Sequence, residues 1–414
     1  MKKNVGALML SAIVLIVLAL FPVAAQQTDL TQSASSASSG PGARFQRKGL
    51  RAIPNHYIVV LDNDPVGRIG EAATNARTVS ELMPEWAGTV TRRYNHAING
   101  FAAFMTEQQA LALSQDDRVA FVEEDSIMEA LVTVSNPPSW GLDRIDQTAL
   151  PLSRSYSYTT TGAGVTAYII DTGIRITHTQ FGGRARVGFD AIGDGRNGID
   201  CNGHGTHVSG TVGGSTFGVA KSVSLVAVRV LGCNGSGSTS GVIAGIDFVT
   251  ANHQPGQLAV ANMSLGGGAS TALDSAVRRS ISDGVTYAIA AGNSTADAVN
   301  FSPARVSAAI TVGSSTINDQ RSSFSNFGSV VDIFAPGTSI VSSWFSSDTA
   351  TATLSGTSMA TPHVAGVAAR VLQGNPTLTP AGVRNAIVNA ATLNRLAGIP
   401  SGTANRLLFW ARTR

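Results

Sequence analysis

The stretch Val165-Thr-Ala-Tyr-Ile-Ile-Asp-Thr-Gly173 decides the fold. A short run of almost wholly apolar residues, without polar alternation, reads as a strand buried on both faces, as in a parallel sheet covered by helices. It ends on an acid, Asp171, at the carboxyl tip, where open α/β sheets keep their reactive crevice. The pattern continues downstream. Leu225–Val230, Leu258–Met263 and Val285–Ala290 are further short apolar runs. Between them, Ser240–Asn252 sets Val242, Ile243, Ile246 and Val249 on one helical face, and Leu273, Val277 and Ile281 repeat that period. Strands alternating with helices predict a doubly wound, mostly parallel α/β sheet with helices on both faces.

Three glycine-punctuated stretches stand where such a sheet would hold chemistry. Besides Asp171-Thr-Gly173 there are Cys201-Asn-Gly-His-Gly-Thr-His207 and Gly356-Thr-Ser-Met-Ala-Thr-Pro-His363. The middle one has two readings. Cys201, His204 and His207, with Cys233, would make four zinc-type ligands. Alternatively His204 is a general base and the cysteines belong to a disulfide. A serine opening a helix is commonly an N-cap, and a histidine in a glycine-rich loop is commonly just packed. Taken together, however, Asp171, His204 and Ser358 match the logic in which an acid orients a base and the base deprotonates a nucleophilic serine. The order Asp, His, Ser differs from that of α/β-hydrolases, whose Gly-x-Ser-x-Gly elbow is also absent because Ala360 replaces the last glycine. Asn293, at the end of Val285–Ala290 and Ala291-Gly292, could donate its amide hydrogens to a tetrahedral oxyanion beside the backbone N–H of Ser358.

The flanking composition divides the 414 residues further. Lys2 and Lys3 precede an apolar run to Phe21, and Val23-Ala24-Ala25 has the small residues of a cleavage site, so residues 1–25 read as a secretory signal peptide. Export implies an oxidising compartment, which favours one bridge between the two cysteines. Residues 26–50, rich in Ser, Ala, Gln and Gly, read as a linker. Residues 51–132 read as a small α+β unit, with strands at Tyr57–Leu61, Ile98–Phe104 and Val119–Val122 and a capping box at Thr106-Glu-Gln-Gln109. Val132–Ser139, with Pro137-Pro138, reads as a linker or cleavage region, and 133–414 as the α/β unit. Residues 26–132 carry 9 Lys and Arg against 13 Asp and Glu, a balance of −4, whereas 133–414 carry 18 against 13, a balance of +5. Opposite signs suit docking of the first unit on the second. The basic residues of the second unit are mostly scattered, which points away from a nucleic-acid patch and toward an Arg-rich soluble face.

With these motifs in place the chain resembles the subtilisin-like serine proteases of the proteinase K and aqualysin branch. The likeness also covers Trp140-Gly-Leu-Asp-Arg-Ile-Asp-Gln147, Asn234-Gly-Ser-Gly237 and Asn262-Met-Ser-Leu-Gly266. It implies Asp171, His204 and Ser358 as the triad and Asn293 as the oxyanion donor of a secreted (or periplasmic) endopeptidase that acts as a monomer on protein and peptide substrates. It further implies a substrate clamped as an extra strand between Gly235-Ser236-Gly237 and Ser264-Leu265-Gly266, with Ala290, Ala291 and Gly292 lining an apolar pocket. The unit at 51–132 resembles the family's inhibitor-type propeptide, an intramolecular inhibitor cut away by the enzyme, leaving no membrane attachment once the signal is removed. The resemblance pairs Cys201 with Cys233. The branch's second bridge is absent, with Val299 and Val330 at its positions, an exchange expected to trade a cross-link for apolar packing. Calcium is implied at Asp332 with backbone oxygens of Ser307 and Ala309. A further site at Asp143, Asp146 and Gln147 is weakened by Ser153 and Ser155. Two rivals make different predictions: a catalytically dead binding module would not react at Ser358, and a zinc hydrolase would lose activity to chelators.

Overall fold

The computed structural model describes residues 44–47, 52–62, 82, 88–94, 100–126 and 132–410. The expected signal peptide at 1–25 and most of the expected linker at 26–50 lie outside the described residues. The chain divides into two compact units, Met1–Ile127 and Met128–Arg414.

The first unit holds strands β1 (Phe45–Gln46), β2 (Ala52–Leu61), β3 (Thr89–Tyr94), β4 (Gly100–Phe104) and β5 (Val119–Ser126), in the order β1-β5-β2-β4-β3. Period-2 alternation sends Tyr57, Val59 and Leu61 to one face, where they meet Phe101, Ala103 and Val122. Helix α1 (Glu107–Leu113) closes that core with Ala110 and Leu113. It begins at the expected capping box, the Thr106 side chain accepting from Gln109 N and the Gln109 side chain accepting from Thr106 N. β1 falls inside the expected linker, which is therefore paired backbone at Phe45–Gln46, in register with Val122 and Glu123.

The second unit is built on nine strands among the described residues. They are β6 (Thr166–Asp171), β7 (Ala185–Asp190), β8 (Ser224–Arg229), β9 (Ala259–Met263), β10 (Thr286–Ala290), β11 (Ile310–Ser315), β12 (Ile333–Pro336), β13 (Thr392–Leu393) and β14 (Arg406–Leu407). Their order is β13-β14-β12-β11-β10-β9-β6-β8-β7, parallel except for the β13–β14 pair. The chain leaves β6 toward β8 and β7 on one side and returns to β9 on the other, so the switch of direction falls at β6, whose tip is Asp171.

Alternate residues along each strand feed two cores, because successive side chains point to opposite faces. Ala167, Ile169, Leu225, Ala227, Val260 and Ala288 face helices α3 (His204–Gly213) and α6 (Thr357–Gly374). Tyr168, Ile170, Val226, Val228, Ala261 and Ile289 face α4 (Thr239–Asn252) and α5 (Thr271–Ser282), which contribute Val242, Ile246, Leu273 and Val277. A short helix, α2 (Trp140–Ile145), precedes the sheet and α7 (Pro380–Ala390) follows α6.

Two local expectations change. Val132–Ser135 is not a free linker but pairs antiparallel with Ser155–Tyr158. Val330 packs against an apolar cluster, whereas Val299 stays 43% exposed, so the two valines do not replace a cross-link by mutual packing. Lys221 donates to the carbonyls of Ser215 and Thr216 over the rings of Tyr156 and Tyr158. Burial lowers its pKa to about 8.

Candidate active site

Asp171 is the last residue of β6 and fully buried. Its Oδ1 accepts from Thr172 N at 2.7 Å and from His204 Nδ1 at 2.8 Å. With Nδ1–H committed to the carboxylate, Nε2 of His204 is left as the basic nitrogen. Burial opposes charge on this imidazole, but Asp171, by charge and hydrogen bond, and Asp200, by charge, outweigh it and raise the His204 pKa.

Glycines flank the histidine for steric reasons. A Cβ on Gly205 would lie 2.1 Å from Gly173 O, and one on Gly203 (φ +109°) would lie 2.4 Å from the Trp344 indole. The amino end of α3 therefore presses directly on the turn after β6. Gly203 has no side chain to cap the helix, and Asp200 does so from three residues upstream. Its Oδ1 accepts from Asn202 N, Gly203 N and Thr172 Oγ1, and its Oδ2 from Thr206 N and Thr206 Oγ1. One buried carboxylate thus ties the acid's loop to the histidine's helix.

Ser358 lies in the first turn of α6, which starts at Thr357. Pro362 is four residues on and has no N–H, so the Ser358 carbonyl lacks its helical donor. The Ser264 hydroxyl supplies one at 2.9 Å, itself receiving Asn262 Nδ2 at 2.9 Å. In return Ser358 Oγ donates to Ser264 O at 3.0 Å. The structure therefore joins Asp171 to His204 and seats Ser358 against Ser264, and the Ser358 hydroxyl is turned to Ser264 O.

Asn293 is exposed, and its Oδ1 accepts from both Thr357 N and Thr357 Oγ1 at 2.9 Å. That fixes the amide so that Nδ2 faces the other way. A Cβ built on Gly356 would lie 3.5 Å from Asn293 Nδ2 and 3.5 Å from Ser358 N, so two amide nitrogens lie close to one spot. Behind them, buried Asn326 donates to Ala291 O and accepts from Ser294 N and Ala296 N, while its own N–H reaches Gly292 O.

A cleft of about 400 Å³ opens beside His204, walled by Gly235, Ser236 and Gly237 on one side and Ser264, Leu265 and Gly266 on the other. These are the two segments that the resemblance names for substrate binding. Ala290 ends β10 and Ala291 and Gly292 follow it; none of the three is among this cleft's lining residues, and Ala290 and Ala291 are buried. Cys201 and Cys233 form a disulfide with an S–S distance of 2.01 Å. Asn202 bridges from it, donating to Cys233 O at 3.0 Å and accepting from His204 N at 3.2 Å. The bridge overturns the zinc reading, and buried His207 donates instead toward the carbonyls of Ile340 and Ala352. Asp194 pairs with Arg229, which holds its pKa down at about 2.

The expected calcium ligands Ser307, Ala309 and Asp332 do not fit a metal ion as they stand. Asp332 is correctly delivered to this segment, its Oδ2 accepting from Thr311 N at 2.9 Å, but its Oδ1 is taken by the guanidinium of Arg384. At Asp143 the carboxylate is likewise committed, to Ser153 N, Ser153 Oγ and Arg154 N.

Sequence reading left Asp200 an acidic loop position without a role and missed the parts played by Thr206, Thr357 and Asn326. Asp200 carried a signal: an acid just upstream of an uncapped Gly-His-Gly helix start. Asn326 carried none, because its partners lie 30 or more residues away.

Residues 162–406 match the family model described as the subtilase family, and residues 56–131 match that of peptidase inhibitor I9. The chain is 50% identical over 395 residues to an extracellular serine proteinase of Thermus sp. (strain Rt41A), covering 91% of this chain and 96% of that protein. It is 49% identical to alkaline serine exoprotease A of Vibrio alginolyticus, covering 86% of this chain and 68% of that protein. A solved structure of a cold adapted subtilisin-like serine proteinase is 57% identical, with a TM-score of 0.63, and covers 65% of this chain and 97% of its own.

Proposed function

The chain belongs to the subtilase family of serine proteinases, and from that premise we propose that it is a secreted endopeptidase of broad specificity working through Asp171, His204 and Ser358. The observation that carries this reading is the Asp171–His204 hydrogen bond at the tip of β6, where the sheet switches direction. In the reaction, Ser358 Oγ turns from Ser264 O to His204 Nε2, gives up its proton and attacks the acyl carbon. Negative charge develops on the acyl oxygen between Asn293 Nδ2 and Ser358 N, donors already oriented by Thr357, so little reorganisation is needed. His204 then passes its proton to the leaving amine, and a water deprotonated by the same imidazole releases the acyl group.

The cleft between Gly235–Gly237 and Ser264–Gly266 suits an extended peptide bound by main-chain hydrogen bonds, which makes recognition tolerant of sequence. Ala290, Ala291 and Gly292 would favour aromatic or aliphatic residues before the cut bond. Residues 51–132 act as an intramolecular inhibitor removed by the enzyme, with a signal at 1–25 directing export and the mature monomer starting near Thr133. Structural calcium is common among subtilases. Reaction with a fluorophosphonate probe tests the proposal. Label on Ser358, lost in His204→Ala and in Ser358→Ala, is expected; a folded wild-type protein that takes no label refutes it.

A further inference from the structure

We infer that Arg384 stands in for a metal cation at Asp332, so that this position of the fold is balanced by the chain's own charge and not by calcium. The inference rests on the fold and the ion pair, independently of the catalytic reading. Asp332 comes just before β12 and is bound to β11 twice, through its N–H to Thr311 O at 3.0 Å and its Oδ2 from Thr311 N at 2.9 Å. The carboxylate is therefore fixed in direction, and its side chain is only 10% exposed. The remaining oxygen, Oδ1, meets Nη2 of Arg384, projecting from α7.

Calcium asks for six to eight oxygens, with a carboxylate lone pair directed at the ion. Here each oxygen of Asp332 already has a nitrogen donor. A dication at Oδ1 would also sit against a guanidinium that never loses its proton. The two cations exclude each other, and the one built into the chain is always present. Arg384 is 29% exposed, so its removal would open a path from solvent to Oδ1. The carbonyls of Ser307 and Ala309 and the Asp332 carboxylate would then be available to an ion.

The test is calcium titration calorimetry on the mature secreted protein, with a serine-directed inhibitor present to hold proteolysis. Four forms are compared: wild type, Asp332→Asn, Arg384→Ala and the double variant, with Arg384→Gln as a milder replacement should Arg384→Ala fold poorly. Asp332→Asn is expected to leave the number of bound ions unchanged. Arg384→Ala is expected to bind one ion more and to acquire a Tm lowered by chelator. Adding Asp332→Asn to that variant should remove both gains. The inference is overturned if Asp332→Asn alone costs the wild type one ion, or if neither Arg384 variant binds an extra one.

Discussion

Acid should destabilise this protein through two histidines that take no part in the proposed chemistry. His207 and His363 are fully buried. In His207, Nε2 faces the carbonyls of Ile340 and Ala352, which requires a proton there, and Nδ1 is buried without a partner. In His363, Nδ1 faces Met359 O at 2.9 Å, and Nε2 is buried without a partner against Gly141. Each ring is therefore locked in one neutral tautomer, and a second proton would have no acceptor. Burial, aided at His207 by the nearby His204, lowers both pKa values from 6.5 to about 4. Between those limits the unfolded chain binds more protons than the folded one, so stability rises with pH. The contribution is fully present above about pH 6.5 and lost as pH falls toward 4. At about 1.4 kcal/mol per unit, each histidine is worth about 3 kcal/mol, a large part of a total stability of roughly 5–15 kcal/mol.

Other groups run the opposite way. Burial raises Asp146 to about 6, and His204 is raised as well. The clean measurement is therefore a comparison of variants. Denaturant unfolding of inhibitor-blocked protein across this pH range gives stability against pH for wild type, His207→Gln, His363→Leu and the pair. Each replacement should remove about one proton's slope, about 1.4 kcal/mol per pH unit, whatever it does to stability at neutral pH. Coincident slopes for the wild type and the double variant would refute the reasoning.

Asp200→Asn removes both the cap of α3 and a charge that favours protonated His204, so the acid limb of kcat/KM should move to lower pH while stability falls by about 2 kcal/mol. A pH–rate profile reads the first effect and thermal unfolding the second. Replacing Cys201 and Cys233 by serine opens a loop spanning a separation of 32 residues. The cost should be about 3–4 kcal/mol in a denaturant midpoint, on the chain-entropy view of cross-links. Asn326→Ala leaves Ser294 N, Ala296 N and Ala291 O without partners and loosens the loop that carries Asn293. Its kcat should fall by about tenfold or more with a smaller change in KM, and the affinity for a peptide aldehyde should fall in parallel with kcat.

The sheet was legible because its signal is local. The apolar runs at Val165, Leu225, Leu258 and Val285 became strands displaced by no more than one residue, and the Val242 to Val249 face packed as the helical period required. Asp171, His204, Ser358 and Asn293 stood out as candidates for a related reason: each sits within two residues of a glycine at the end of such an element. What failed to show was whatever depends on a distant partner. Phe45–Gln46 and Val132–Ser135 are strands only because Val122–Glu123 and Ser155–Tyr158 lie alongside them. Their own composition is that of linkers. Arg384 reaches Asp332 across 52 residues, between a helix and a strand whose adjacency no pattern in either announces.

The same register that positions Asp171 also creates a hazard for it. Arg229, the last residue of β8, is paired directly with Asp171 on one side and with Asp190 of β7 on the other. Register partners in a parallel pair project to the same face, so the buried guanidinium stands between two carboxylates. Were it to turn to Asp171, it would compete with His204 for the acid that orients the base, and its charge would weaken the proton affinity of that imidazole. Asp194 decides the contest. It holds both terminal nitrogens, Nη1 at 2.6 Å and Nη2 at 2.8 Å, while Asp190 takes Nη1 at 2.9 Å. Two carboxylates against one guanidinium turn Arg229 away from the acid, toward Cys201, whose sulfur lies 3.3 Å from Nη2. The bridge keeps the Asp194 side of the loop and the His204 helix approach on one anchor. The acid's freedom to serve the histidine is thus secured by Asp190 and Asp194, which hold Arg229 without bonding to either Asp171 or His204.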